Sequence, residues 1–259
     1  MTVAVIGANG FVGSALLKHL QELGLDVTGV SRENYHSKKE QSYDVVLNAS
    51  NNSKKYISDR EPVTDFDLSV AQQMRVLADF PSHLHVLLSS VDVYSHLDSY
   101  EHTKEELTPE ITRASHYGFH KYLAEECVRH YAPNWLIIRL AGMVGPNLKK
   151  NPVFDILNGQ PLRIHPESQY QFMHTADVAR IVWDLVESGM SKKIVNVCGN
   201  GLISPNEIAQ MAQKQIDLTQ LPVDSSPRNV RINVEKLAGI TKVPTSQDAI
   251  WRFLSEAAV

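Results

Sequence analysis

Short apolar runs alternate with amphipathic stretches along the first half of the chain. Aliphatic runs predict buried strands at Thr2–Ile6, Leu25–Val30, Tyr43–Asn48, Leu84–Leu88 and Trp135–Ile138. Apolar residues at helical spacing predict helices from Phe11 onward, over Phe66–Phe80 and over Ser115–Tyr131. Because strands that alternate with helices form parallel sheets, the pattern predicts an α/β protein with a doubly wound parallel sheet.

The pattern changes at Gly145-Pro146, after which the elements are shorter and less regular. Helices are predicted at Ala176–Glu187 and Pro205–Gln215, and a strand at Lys193–Val197. We therefore predict one unit over residues 1–145 and a smaller lobe over residues 146–259, interleaved with the first.

A glycine-rich turn separates the first strand from the first helix. Gly7, Gly10 and Gly13 stand three residues apart, as a dinucleotide requires, because its pyrophosphate must approach bare N–H groups at a helix N-terminus. We predict a Rossmann-like dinucleotide-binding domain over residues 1–145, with the substrate held by the C-terminal lobe. The predicted cofactor contacts are Gly7, Asn9, Gly10, Phe11, Val12, Gly13, Ser31, Arg32, Ala49, Ser50 and Lys121.

The end of the second predicted strand bears on the choice of cofactor. An NAD enzyme carries a carboxylate there for the ribose hydroxyls, whereas this chain has Ser31-Arg32. A guanidinium clamps a 2′-phosphate, and Lys38 or Lys39 adds charge. The sequence therefore favours NADP, with Glu33 as the rival carboxylate for NAD.

A Tyr-x-x-x-Lys motif suits proton transfer, because residues four apart share a helix face and the ammonium lowers the phenol pKa from about 10. The motif occurs three times, as Tyr35 with Lys39, Tyr100 with Lys104, and Tyr117 with Lys121. Only Tyr117 lies on a predicted long helix.

Ser90 ends a buried strand and supplies a hydroxyl for a carbonyl oxygen. We predict catalytic roles for Ser90, Tyr117 and Lys121 in hydride transfer, with Tyr117 exchanging the proton. Asp92 is a further candidate, as a substrate acid or as a loop carboxylate.

These motifs resemble the extended short-chain dehydrogenase/reductase family, whose NAD-dependent epimerases and dehydratases act largely on nucleotide sugars. The resemblance also covers Asp44–Ala49, Ser89–Tyr94, Tyr117–Lys121, Arg139–Pro146, Phe172–Val178 and Ile194–Val197. It implies an enzyme close in character to nucleotide-sugar 4-ketoreductases, and a homodimer formed through the helices at Phe66–Phe80 and Ser115–Tyr131.

Departures from the family pattern narrow the predicted reaction. Ser69 stands where the family has an asparagine, and Gly142 stands where nucleotide-sugar members carry one. The family's arginine near Tyr170 is also missing, which leaves Arg163, Arg228 or Arg231 to meet phosphates. Val91-Asp92 lacks the acid pair of a dehydratase, and Asn147 replaces the histidine of a 3,5-epimerase.

The sequence is therefore interpreted as an NADPH-dependent reductase of a keto group on a nucleotide-linked sugar. Two alternatives stay open. One is a nucleotide-sugar 4-epimerase that keeps bound NAD, and the other is a non-catalytic NADP-binding subunit with an interaction or regulatory role.

Composition and charge argue against other classes of protein. The chain has 43% hydrophobic residues, a net charge of -4 and two cysteines. Lysine doublets begin at 38, 54, 149 and 192 and are interpreted as scattered, solvated surface, so no nucleic-acid partner is expected.

His116 and His120 share a helix face without a third ligand, so no metal site is expected. With no apolar run of membrane-spanning length, we expect a cytoplasmic protein that does not bind membranes.

Overall fold

The computed structural model describes residues 1–257 and contains a central parallel sheet. The strands are β1 (Thr2–Ile6), β2 (Asp26–Val30), β3 (Tyr43–Asn48), β4 (Ser82–Ser90), β5 (Trp135–Leu140), β6 (Gly142–Val144), β7 (Phe172–His174) and β8 (Lys193–Val197). Six of them are hydrogen-bonded in the order β2-β1-β3-β4-β5-β8, and every neighbouring pair is parallel. The predicted α/β fold with a Rossmann-like, doubly wound sheet is confirmed.

Helices cover both faces of this sheet. They are α1 (Phe11–Glu22), α2 (Tyr35–Lys38), α3 (Lys55–Arg60), α4 (Pro62–Phe66), α5 (Gln72–Asp79), α6 (His116–Tyr131), α7 (Pro152–Leu157), α8 (Thr175–Glu187), α9 (Pro205–Ala212), α10 (Glu235–Ala238) and α11 (Ser246–Ala257). A π-helical turn, Asp67–Ala71, joins α4 to α5, and single 3-10 turns lie at Val91–Val93, Tyr100–Thr103 and Ile111–Arg113.

Alternate residues of each strand enter the two cores, because successive side chains of a strand point to opposite faces. Val3 and Val5 of β1 pack in one cluster with residues of α1 and α8. Ala4 and Ile6 pack on the other side with Val76 of α5 and with Phe80, which follows that helix. Burial on both faces explains why these strands read as continuous apolar runs rather than as alternating patterns.

The strand order reverses between β1 and β3, which is where ligands bind in open α/β sheets. The chain leaves β1 at Gly7 and leaves β3 at Ala49. The two exits are joined by a hydrogen bond of 2.9 Å from the Ala49 amide to the Ile6 carbonyl. The predicted glycine turn and the predicted Ala49-Ser50 segment therefore lie side by side.

A smaller apolar cluster lies beyond β5. The short strands β6 and β7 pair in parallel, and α7, α9 and α11 pack around them. The same half of the chain also returns β8 to the central sheet and α8 to its α1 face. The division into a domain at 1–145 and a lobe at 146–259 stays a prediction.

Some predicted boundaries were wrong. The helix predicted at Phe66–Phe80 begins at Pro62 and includes the π-helical turn, while the helix predicted to reach Gln215 ends at Ala212. β6 and β7 are not predicted from the sequence, because three-residue strands are too short to show a period.

The surface carries exposed apolar residues near the predicted dimer helices. Val63, Phe66 and Leu68 around α4, and Tyr131 at the end of α6, are exposed. The homodimer stays a prediction. Within residues 1–257, no helix combines the length and the apolar character needed to cross a membrane.

A buried ion pair fastens α6 to the sheet. Arg139 on β5 donates from Nε and Nη2 to the Glu125 carboxylate on α6, at 3.0 and 2.6 Å. The Ser89 hydroxyl on β4 also donates to Glu125, and the Arg139 guanidinium lies 4.7 Å from the centroid of the Tyr94 ring. The Glu125 carboxylate therefore holds α6, β4 and β5 together next to the predicted catalytic residues.

We expect Glu125→Ala to lower the free energy of unfolding by about 3–5 kcal/mol, because it leaves the Arg139 guanidinium buried without its counterion. Urea denaturation followed by circular dichroism measures the loss. Glu126→Ala is the matched control, because Glu126 pairs with Arg129 on the exposed side of the same helix and such pairs contribute less than about 1 kcal/mol. Equal losses in the two variants would contradict the structural role of Glu125.

Candidate active site

The glycine turn leaves the N-terminus of α1 open to an anion. Gly10 caps the helix without a side-chain hydrogen bond, and the first turn contains no acidic residue. A Cβ on Gly13 would lie 2.1 Å from the Gly7 carbonyl oxygen, so only glycine allows the helix to pack this closely on the turn. Free N–H groups and the helix dipole suit a pyrophosphate, and the residues present therefore fit a dinucleotide.

The turn after β2 presents both residues that compete to set the cofactor preference. The Asn34 side chain closes this turn, because it accepts a hydrogen bond from the Ser31 amide and donates one to the Gly29 carbonyl. Arg32 and Glu33 are exposed at its tip, and the Glu33 amide donates to the Ser31 hydroxyl. A guanidinium and a carboxylate thus both lie where a ribose 2′-substituent is read.

A third segment follows β3. The Ser50 hydroxyl donates to Asn48 at 2.7 Å, which fixes the start of the loop. The side-chain amide of Asn51 is buried, and neither its nitrogen nor its oxygen finds a hydrogen-bond partner among residues 1–257. Asn51 is not among the predicted cofactor contacts, although its place just beyond the buried strand β3 signals a position near the ligand. Its amide is available to a ligand.

Close packing of α6 on the end of β4 positions the predicted catalytic residues. Ser115 caps α6 by accepting a hydrogen bond from the Gly118 amide at 3.1 Å. A Cβ on Gly118 would lie 2.0 Å from the Asp92 carbonyl oxygen. The first turn of α6 therefore presses directly on the turn after β4, which brings Tyr117 next to Ser90 and Asp92.

The structure brings together all four predicted catalytic residues. The Ser90 hydroxyl donates to Asp92 Oδ2 at 2.9 Å, and Lys121 Nζ lies 5.4 Å from the centroid of the Tyr117 ring. Ser90, Tyr117 and Lys121 are 8%, 7% and 4% exposed, so the cluster is largely shielded from water. Lys55 on α3 pairs with Asp92 Oδ1 at 2.6 Å. This arrangement has the parts needed to hold an oxygen and to move a proton.

The acidity of the phenol differs from the sequence-based expectation. Burial raises the pKa of Tyr117 above its ordinary value of 10.0, the carboxylates of Asp92 and Asp65 raise it further, and the Ser90 hydroxyl opposes the rise. Burial lowers the pKa of Lys121 to about 8, against the opposing effect of Asp65 and Asp92. The prediction that the ammonium brings the phenol pKa below 10 is therefore not met, because desolvation is the larger effect.

The other two Tyr-Lys motifs are engaged elsewhere. The Tyr35 hydroxyl donates to Asp79 at 2.9 Å, and burial raises the pKa of Tyr35. Lys104 pairs with Glu101 at 2.6 Å, and Tyr100 lies on a 3-10 turn. Neither tyrosine shares a long helix with its lysine, in agreement with the prediction that only Tyr117 does.

A buried carboxylate lies behind the catalytic cluster. Asp65 is fully buried and accepts hydrogen bonds from His120 Nδ1 at 2.7 Å, from Asn52 at 2.6 Å and from Ser69 at 3.2 Å. Ser69, the departure from the family pattern, lies in the π-helical turn, a conformation that often occurs at functional sites. Among the described residues, no group of three or more His, Cys, Asp or Glu side chains is arranged to hold a metal.

Two of the lysine doublets meet at this site. All four lysines, Lys54, Lys55, Lys149 and Lys150, are exposed, as expected of solvated surface, but the two doublets are not scattered. Lys55 Nζ lies 5.9 Å from the centroid of the Tyr117 ring. The Lys150 ammonium donates to the Ser53 carbonyl in the loop before α3. Burial, together with repulsion by Lys54 and Lys55, lowers the pKa of Lys150 to about 8. Lys150 and Ser53 are 97 residues apart in sequence, so no local pattern signals this contact.

The chain matches the model of a known protein family. The model of the NAD dependent epimerase/dehydratase family matches residues 3–198, and the chain therefore belongs to this family. Comparison with curated protein sequences found no match.

Solved structures share the fold over the whole chain. A UDP-galactose 4-epimerase is 23% identical, with a TM-score of 0.80 over 100% of this chain and 99% of the other. A dTDP-4-dehydrorhamnose reductase from Bacillus anthracis, in complex with NADP, is 18% identical, with a TM-score of 0.81 over 99% of each chain. MoeE5 in complex with UDP-glucuronic acid and NAD is 18% identical, with a TM-score of 0.80 over 100% of each chain.

We expect Asp65→Asn to lower the pKa of Lys121 further, from about 8 by on the order of one unit, because a nearby negative charge that favours the ammonium is removed. The protonated fraction of Lys121 then falls at pH 7–8. Titration of the lysine side-chain NMR signals, assigned with Lys121→Met, measures the shift. Asp67→Asn is the control, because Asp67 is exposed on the same helical segment. An unchanged pKa in Asp65→Asn would contradict the expected coupling.

Proposed function

We propose that the protein is an NADPH-dependent oxidoreductase that reduces a keto group, with Tyr117 as the proton donor. One observation carries the proposal. Tyr117 is buried next to Ser90, and the Lys121 ammonium lies 5.4 Å from the centroid of the Tyr117 ring. Because its pKa lies above 10, the phenol holds its proton at neutral pH, as a general acid must.

Ser90, Tyr117 and Lys121 have different roles in the proposed reduction. A bound nicotinamide cofactor supplies the hydride. Ser90 holds the carbonyl oxygen by redirecting the hydroxyl proton that it now donates to Asp92. Tyr117 protonates that oxygen, and the Lys121 ammonium stabilises the phenolate left behind. With a pKa of about 8, Lys121 is mostly charged at neutral pH.

The cofactor is proposed to lie across the reversal of strand order. The turn of Gly7, Gly10 and Gly13 brings the pyrophosphate to the free N–H groups at the start of α1, because the Gly7 and Gly10 amides already donate to Val30 and Gly7. Arg32 meets the 2′-phosphate. Asn51 is added to the predicted contacts, because its buried amide lacks a partner within residues 1–257 and follows Ser50 directly. A site that binds a polar ligand leaves such groups unpaired until the ligand arrives.

The substrate is proposed to be a nucleotide-linked keto-sugar. The lobe carries a cavity of about 370 Å³ lined by Arg163, His165, Ser168 and Arg228, among others. These arginines offer phosphate contacts that replace the missing arginine near Tyr170. The solved relatives include a nucleotide-sugar reductase in complex with NADP, which supports this substrate class.

A nucleotide-sugar 4-epimerase with bound NAD is the second candidate. It needs the same serine, tyrosine and lysine, and the exposed Glu33 carboxylate next to Arg32 favours it. An epimerase regenerates its cofactor, so the two reactions differ in whether NADPH is consumed. A non-catalytic NADP-binding role predicts neither reaction.

We expect the wild-type protein to bind NADPH more tightly than NADH, and Arg32→Ala to remove most of that preference. Loss of a charge-assisted phosphate contact costs about 1.5–3 kcal/mol, or roughly 10- to 150-fold in affinity. Fluorescence titration with both cofactors measures the change, with Glu33→Gln as the neighbouring control. Tighter NADH binding that Glu33→Gln weakens would favour the epimerase instead.

We expect Tyr117→Phe to lower turnover by about 10²- to 10⁴-fold, because it keeps the ring packing and removes only the transferable proton. NADPH affinity should stay nearly unchanged. The measurement is NADPH oxidation with a panel of UDP-, GDP- and dTDP-linked keto-sugars. Tyr35→Phe and Tyr100→Phe are the controls and should stay within about a few-fold of wild type. Full turnover by Tyr117→Phe would overturn the catalytic assignment.

A further inference from the structure

Positive charge is concentrated around the phenol. The ammonium groups of Lys55 and Lys121 lie 5.9 and 5.4 Å from the centroid of the Tyr117 ring, on elements that meet only in the folded protein. The Lys150 ammonium reaches the same region, where it donates to the carbonyl of Ser53, two residues before Lys55. We call Lys54, Lys55, Lys121 and Lys150 the cationic cluster.

The carboxylates near the cluster do not neutralise it. Asp92 pairs with Lys55 and also accepts from Ser90. Asp65 is occupied by His120, Asn52 and Ser69, and Glu125 is occupied by Arg139 and Ser89. Among residues 1–257, Lys54, Lys121 and Lys150 form no ion pair.

The lysines repel one another in the protein as it stands. Partial burial lowers the pKa of Lys150, and the charges of Lys54 and Lys55 lower it further. Lys150 in turn lowers the pKa of Lys121. Such an arrangement costs folding free energy, and an anion bound among the ammonium groups would offset it.

We infer that the substrate carries an oxyanion, a carboxylate or a phosphate, next to the reacting carbonyl, and that Lys55 and Lys150 bind it. This inference rests on the proposed function and specifies its substrate class. Lys150 is the better-placed partner, because its ammonium contacts only the neutral Ser53 carbonyl. The Lys55 ammonium already pairs with the Asp92 carboxylate, which would repel an anion. The cluster is distinct from the arginine-lined cavity of the lobe, which would take the phosphates of a nucleotide.

Titration calorimetry of the protein saturated with NADP⁺ tests the binding. Malonate, a dianion, and malonamide, a neutral molecule of the same skeleton, are the probes. We expect malonate to bind, with an affinity that falls as salt is raised, and malonamide not to bind. Lys150→Met should weaken malonate binding at least about tenfold and Lys150→Arg should retain it, because only the charge is required.

The controls separate this inference from its alternatives. Lys149→Met removes the neighbouring exposed lysine and should leave malonate binding unchanged. Equal binding of malonamide, equal affinity in Lys150→Met, or competition between malonate and NADP⁺ would overturn the inference. Competition would assign the cluster to the cofactor instead.

Steady-state kinetics test the anion site separately from the proposed reductase activity. Lys150→Met should raise KM for carboxylated ketones and leave KM for neutral ketones unchanged. Turnover of neutral ketones alone, with no effect of Lys150→Met, would overturn the anion site while leaving the reductase intact. Malonate binding that depends on Lys150, without turnover of any carbonyl compound, would support the anion site and overturn the reductase.

Discussion

The candidate site depends on the contact between the first turn of α6 and the end of β4. A Cβ on Gly118 would lie 2.0 Å from the Asp92 carbonyl, so the helix can approach this closely only with glycine at that position. Further along α6, Glu125 binds Arg139 on β5 and Ser89 on β4. The helix is thus fixed at two points, and the residues between them include Lys121. These two contacts therefore set the relative positions of the serine, the phenol and the ammonium.

The same packing determines how protons are held. Removing water raises the pKa of Tyr117 and lowers that of Lys121, because each charged form loses solvation. The two shifts stabilise the neutral phenol while leaving the amine close to its titration point. Burial alone therefore makes the phenol a weaker acid, and proton transfer in either direction needs a positive charge near the ring, such as the Lys121 ammonium 5.4 Å from its centroid.

The sequence predicted those parts of the fold and site that depend on local pattern. The strand, glycine turn and helix at Gly7–Gly13 are consecutive, and Tyr117 and Lys121 are one helical turn apart, so periodicity and spacing were enough. The Asp65–His120 pair and the contact of Lys150 with the Ser53 carbonyl join distant segments. Loop conformation decides such contacts, and a single sequence carries no periodic signal for them. The π-helical turn at Asp67–Ala71 was missed because its residues look like ordinary helix.

The departure at Ser69 links the buried network to the charge of the site. Its hydroxyl donates to Asp65, as do Asn52 and His120, so three donors hold this carboxylate in place while it remains fully buried. Its negative charge favours the ammonium form of Lys121 and opposes the repulsion from Lys150. Without Asp65, only Asp92 and Glu125 would oppose desolvation and Lys150, and more of the amine would be neutral at physiological pH. Of the three carboxylates that favour the ammonium form of Lys121, Asp65 has the largest effect, so the network around Ser69 helps a lysine stay charged next to the phenol.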